Sequence, residues 1–105
     1  MSSAEKVVLC GANSYEQKYY LNQEFAKLPE AIRQELQILC VKFTEEVGGI
    51  FLLKFDGDGN LQMETMADDS DYLYDEIECG IQVGRIRREK EELFRQLEIY
   101  YKATH

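Results

Sequence analysis

Residues 29–66 read PEAIRQELQILCVKFTEEVGGIFLLKFDGDGNLQMETM, and this stretch decides the fold. Ile32, Leu36, Leu39, Cys40, Phe43 and Val47 recur at steps of four, three, one, three and four. That spacing puts them on one face of a helix over about 30–47. Ile38 and Val41 widen the apolar stripe, so the helix is expected to be buried on more than one side. Pro29 suits a first helical turn, where its missing N–H leaves no bond unmade, and Glu30 complements the positive end of the helix dipole. Gly48 and Gly49 supply the stop.

The pattern then changes period. Phe51, Leu53 and Phe55 alternate with Ile50, Leu52 and Lys54, and both sets are largely apolar, which predicts a strand covered on both faces or central in its sheet. Asp56-Gly57-Asp58-Gly59-Asn60 is turn chemistry, and Leu61–Met66 is the return strand of a hairpin. The turn opens like a calcium loop. Its sixth and twelfth positions hold Leu61 and Ala67, where an EF-hand needs Gly and a bidentate Glu, so a hairpin turn is the expected reading.

Upstream, Val7, Val8 and Leu9 predict a short strand, followed by the turn-rich Gly11-Ala12-Asn13-Ser14. Lys18-Tyr19-Tyr20-Leu21-Asn22 favours a strand through its aromatic content, with a helix over Tyr15–Phe25 as the alternative. Downstream, a helix is expected from about Tyr72 to Lys102, with Asp68, Asp69 and Asp71 capping it. Leu73, Ile77 and Ile81 form one stripe, and Ile86, Leu93, Leu97 and Tyr100 a second. Gly80 and Gly84 predict a bend or break between them. Unbroken, such a helix would reach roughly 45 Å at about 1.5 Å per residue, long enough for its end to project and meet a partner. The expectation is one α+β domain over 1–105. In it, an antiparallel sheet of three or four strands packs in two layers against the 30–47 helix and the long C-terminal helix.

Composition bounds the function. The 105 residues carry a net charge of −8, and all nine acids between Asp56 and Glu78 occur without a single Lys or Arg. An acidic field opposes nucleic acids and anionic membranes, so neither is expected as a partner. The apolar run Val7–Cys10 is too short for a secretory signal, and Ile50–Leu53 is far short of a membrane span. Cys10, Cys40 and Cys79 are odd in number and widely spaced, as expected of buried reduced thiols in the cytoplasm.

Catalytic chemistry finds little support. His105 is the sole histidine and is expected to fray, so no Cys–His or Ser–His pair can be assembled. No cofactor is expected. Asp71, Asp75 and Glu76 are the candidates for a shared divalent cation. The basic cluster Arg85, Arg87, Arg88 and Lys90, just after the acidic block, suits pairing between protomers. The seven tyrosines fall in near-adjacent groups, and adjacent residues cannot all face one core. Tyr19, Tyr20, Leu93, Leu97, Tyr100 and Tyr101 are therefore the interface candidates.

The stretches Val7–Tyr15, Lys18–Asn22, Glu46–Gly49 and Tyr72–Ile77 resemble those of a family of small bacterial proteins with no assigned activity. The resemblance spans nearly the whole chain and implies a bacterial cytoplasmic origin. The residues themselves favour a non-enzymatic interaction module that self-associates. A metal-assisted hydrolase or phosphoryl-transfer enzyme using the acidic cluster is the first alternative, and a small-ligand-binding domain the second.

Overall fold

A computed structural model describes residues 6–105. Four strands, β1 (Val7–Asn13), β2 (Lys18–Leu21), β3 (Ile50–Phe55) and β4 (Leu61–Met66), form one antiparallel sheet in the order β2-β1-β3-β4. Helices α1 (Glu30–Val47), α2 (Glu76–Glu89) and α3 (Glu91–Thr104) complete the α+β architecture. A single 3-10 turn, Gln23–Phe25, links β2 to α1.

The helix-and-hairpin reading holds to the residue. Gly48 and Gly49 take φ of 91° and 73°, a left-handed exit that lets the chain reverse from α1 into β3. At Gly49 the backbone also runs close to its neighbours: a Cβ there would lie 2.5 Å from the Met66 carbonyl oxygen. In the hairpin turn, the Asp56 carboxylate accepts from the N–H groups of Asp58 and Asn60, both at 2.9 Å, and Gly59 sits at φ 85°. These bonds hold the Asp56 carboxyl below its ordinary range, led by the one from Asn60.

β1 is longer than the sequence suggests. It runs through Gly11 and Ala12 to Asn13 and pairs on both sides, so it is central beside β3. Gly11 is needed for closeness and not for a turn, since a Cβ there would collide with the Leu52 side chain and lie 2.7 Å from the Phe51 carbonyl oxygen. The register lines up Tyr20, Gly11, Leu52 and Glu64 on one sheet face, and Leu21, Cys10, Leu53 and Met63 on the other. The second face meets the helices. Phe51, Leu53, Phe55, Leu36, Leu97 and Phe25 are fully buried there.

The C-terminal region departs from expectation in three ways. Helix α2 starts at Glu76, because Asp75, and not the earlier aspartates, is its N-cap. The Asp75 carboxylate accepts from the N–H groups of Ile77 and Glu78, both at 3.0 Å. Next, the break falls at Lys90 (φ −110°, ψ 20°), while α2 runs unbroken through Gly80 and Gly84. The Lys90 ammonium lies 2.9 Å from the Glu35 carboxylate of α1, pinning the joint. Turning there lets Leu93, Phe94 and Leu97 enter the core. Finally, the end of α3 does not project. The Tyr101 ring stacks on Phe55 at 4.2 Å between centroids, and His105 stacks on Tyr101 at 4.2 Å and bonds Glu24 at 3.2 Å. The histidine expected to fray is thus anchored.

Candidate interaction surface

Helix α2 carries two apolar faces. Cys79 and Ile86, with the buried Gln82 between them, face inward. Gln82 donates to Glu78 (2.5 Å) and accepts from Arg85, and Arg85 reaches Glu46 of α1 at 3.4 Å. This network orients α2 on α1. At about 100° per residue, the opposite face presents Ile77, Gly80, Ile81, Gly84 and Arg88. Ile77 is 77% exposed and Ile81 57%. The stripe read from the sequence through Ile77 and Ile81 therefore faces solvent.

The segment before α2 extends the apolar surface. Tyr72 and Leu73 are 92% and 93% exposed. Their backbone is nevertheless held. The Tyr15 hydroxyl donates to the Asp71 carboxylate (2.6 Å) and accepts from the Asp68 N–H (2.9 Å). The bond to Asp71 raises the Tyr15 pKa above its ordinary value. Asp71 also accepts from the Leu73 N–H at 3.0 Å. Tyr74 lies over Gly49 and donates to the Cys79 sulfur at 3.1 Å, and burial, reinforced by that bond, pushes its pKa up to about 12. Two apolar side chains are thus displayed on a tethered connector.

Gly80 and Gly84 sharpen the description. A Cβ at Gly80 would meet nothing within 4 Å, and one at Gly84 would meet only an Arg88 nitrogen at 3.5 Å. Each glycine weakens the helix by about 1 kcal/mol relative to Ala, and no contact within the chain requires it.

On the side of α2 that meets α1, the two helices enclose a groove of about 390 Å³, lined among others by Ile38, Phe43, Lys42, Gln82 and Arg85. Ile38, expected to be buried, is 65% exposed on its wall. The sheet lies on the far side of α1, and no element among the described residues covers the near side at Ile38.

The residues singled out from sequence scatter. Asp71 serves Tyr15 and Leu73, Asp75 caps α2, and Glu76 is exposed in the first turn. Among the described residues, no group of three or more His, Cys, Asp or Glu side chains is placed to hold a metal ion. Leu93 and Leu97 are buried in the core, and Tyr100 and Tyr101 pack against Phe25, so all four are engaged within the chain. Tyr19 points inward against Cys10 and Cys40, and its buried hydroxyl has no hydrogen-bond partner among the described residues. Burial, with the neighbouring thiols, raises its pKa far above the ordinary value. The Cys40 thiol is likewise pushed up, by its contact with Cys10 (sulfurs 3.7 Å apart) and by burial. Neither thiol is exposed, so neither has the character of a reactive nucleophile. Tyr20, on the other sheet face, stays exposed.

Residues 6–105 match the family of unknown function DUF6145. The chain belongs to that family. Comparison with curated proteins finds no match, and comparison with solved structures finds none either. Among the described residues of this DUF6145 member, no helix is long and apolar enough to cross a membrane. The exposed residues Ile77, Ile81 and Ile38 were not recognised from sequence. The available signal was redundancy: α2 has more apolar positions than one buried face can use.

Proposed function

We propose that the protein is a non-enzymatic protein–protein interaction module whose contact surface is the strip Tyr72, Leu73, Ile77 and Ile81. The observation that carries the reading is their exposure on a connector and helix held by Tyr15, Tyr74 and Asp75. Burying a Leu or Ile side chain stabilises by about 1.5–3 kcal/mol, so a partner covering these residues has a substantial apolar driving force. Soluble chains seldom leave such a patch uncovered. Preorganisation supports the reading too, because little backbone ordering remains to oppose docking. The net charge of −8 favours a protein partner over a nucleic acid or an anionic membrane. A cytoplasmic, bacterial setting goes with three buried thiols and with the sequence resemblance.

A photo-crosslinking residue placed at Leu73, with the exposed Lys27 as control, tests the reading in intact cells. The expected result is one or a few discrete protein adducts at Leu73 that are missing at Lys27. The same adducts at both positions, or none at Leu73, would refute it.

A further inference from the structure

The face of α2 is self-complementary in charge as well as apolar. On that side its first turn carries Glu76, next to the Asp75 cap, and its last turn carries Arg87 and Arg88, while Glu78 and Glu89 lie toward α1. Between the two lie Ile77, Gly80, Ile81 and Gly84. A surface that carries one charge at one end and the opposite charge at the other matches its own copy when the two run antiparallel. In a parallel pairing, like charges would meet at both ends.

Resting on the interaction-module reading, we propose that the partner is a second copy of this chain. The two α2 helices pack antiparallel about a two-fold axis near Ile81.

The geometry is consistent in four respects. Glu76 precedes Ile81 by five residues and Arg87 follows it by six. At about 1.5 Å per residue these are roughly 7.5 Å and 9 Å, so Glu76 of one copy comes level with Arg87 of the other. Glu76 and Arg87 also lie on one flank of the helix, about 20° apart at 3.6 residues per turn. A two-fold axis in the interface plane keeps each flank on its own side, so the acid and the arginine meet and do not cross over. Moreover, Gly80 and Gly84 leave open space on the face, and their missing side chains let two helix backbones approach closely. Antiparallel alignment further sets each helix's positive end beside its partner's negative end. The overall charge of −8 opposes any unspecific self-contact, so association depends on this local match.

Sedimentation equilibrium of the full chain, from micromolar to near-millimolar concentration, reads the outcome, with far-UV circular dichroism confirming that each variant is folded. The native chain is expected to dimerise. Ile81→Glu, at an exposed site, is expected to stay folded and to be monomeric. Glu76→Arg and Arg87→Glu are each expected to weaken the dimer by about tenfold or more, since each sets like charges together. The double variant is expected to regain the native affinity. A native chain that is monomeric throughout overturns the second copy as partner, while discrete adducts to another protein at Leu73 would still support an interaction module. A dimer untouched by Ile81→Glu overturns the face. Failure of the double variant to recover overturns the antiparallel register.

Discussion

Replacing Gly80 and Gly84 together by Ala is expected to stabilise the isolated chain. Both residues are helical, with neither at positive φ. The added methyl at Gly80 enters open space, and the one at Gly84 makes an ordinary 3.5 Å contact with Arg88. No clash offsets the gain in helix propensity, which is about 1 kcal/mol per site and about 2 kcal/mol for the pair. For a domain of this size 1 kcal/mol moves the melting temperature by about 4–8 °C, so the double variant should melt roughly 8–16 °C higher. The assay is thermal unfolding by circular dichroism at low micromolar concentration, below the range of self-association. A melting temperature unchanged or lowered, with helix content intact, would refute the reasoning, because it would mean that these positions are packed within the monomer. At high concentration the advantage narrows. Two methyls on the α2 face hold the helices apart, so the rise of melting temperature with concentration should shrink. Gly11→Ala is the converse control. Its methyl meets Leu52 and the Phe51 carbonyl in the sheet centre, and the variant should be destabilised.

Tyr19→Phe removes a buried hydroxyl that has no partner among the described residues, so stability near neutral pH should be unchanged or higher, as denaturant midpoints would show. The same variant should flatten the alkaline limb. The Tyr19 pKa is raised in the folded chain, so its contribution is intact below the unfolded value near 10 and is lost as pH rises above it. Asp75→Ala should cost about 1 kcal/mol by removing the α2 cap, whereas Asp75→Ser should recover most of it in the same unfolding assay. Divalent cations should not reproduce that recovery. Tyr15→Phe should speed amide hydrogen exchange at Asp68 and Leu73 and leave the β3–β4 ladder unaffected; equal exchange rates would show that the phenol does not hold the connector. Acidification should loosen the 56–60 turn. The Asp56 pKa is lowered in the folded chain, so its bonds are intact above the ordinary carboxylate value and lost as pH falls below it, visible at the Asn60 amide and abolished in Asp56→Ala.

Local chemistry made much of this fold legible. Helix α1, the Gly48-Gly49 exit, the Asp56–Asn60 turn and the two strands around it follow from side-chain period, φ preference and hydrogen bonds a few residues apart. The same rules misplaced what depends on distant partners. Gly11-Ala12-Asn13 reads as a turn by composition, but pairing with Phe51, Leu52 and Ile50 makes it a central strand. Gly80 and Gly84 suggest a break by propensity, but packing on α1 keeps α2 whole, and the turn moves to Lys90, where Glu35 holds it. The acidic candidates Asp71 and Asp75 read as a cluster, but each is bound to its own backbone neighbours.

The amino-acid sequence by itself therefore determined the α+β class, the helix-and-hairpin unit and the segregation of acids into residues 56–78. Only the tertiary structure decided which apolar face of α2 is buried. Periodicity reports that Ile77 and Ile81 share one face and that Cys79 and Ile86 share another, but the two stripes have similar apolar content. The choice falls to contacts made across the chain. Tyr74 docks on Gly49 and reaches Cys79, Gln82 joins Glu78 to Arg85, and Arg85 reaches Glu46. Those contacts turn Ile77 and Ile81 outward, because a helix can present only one side to the layer beneath it.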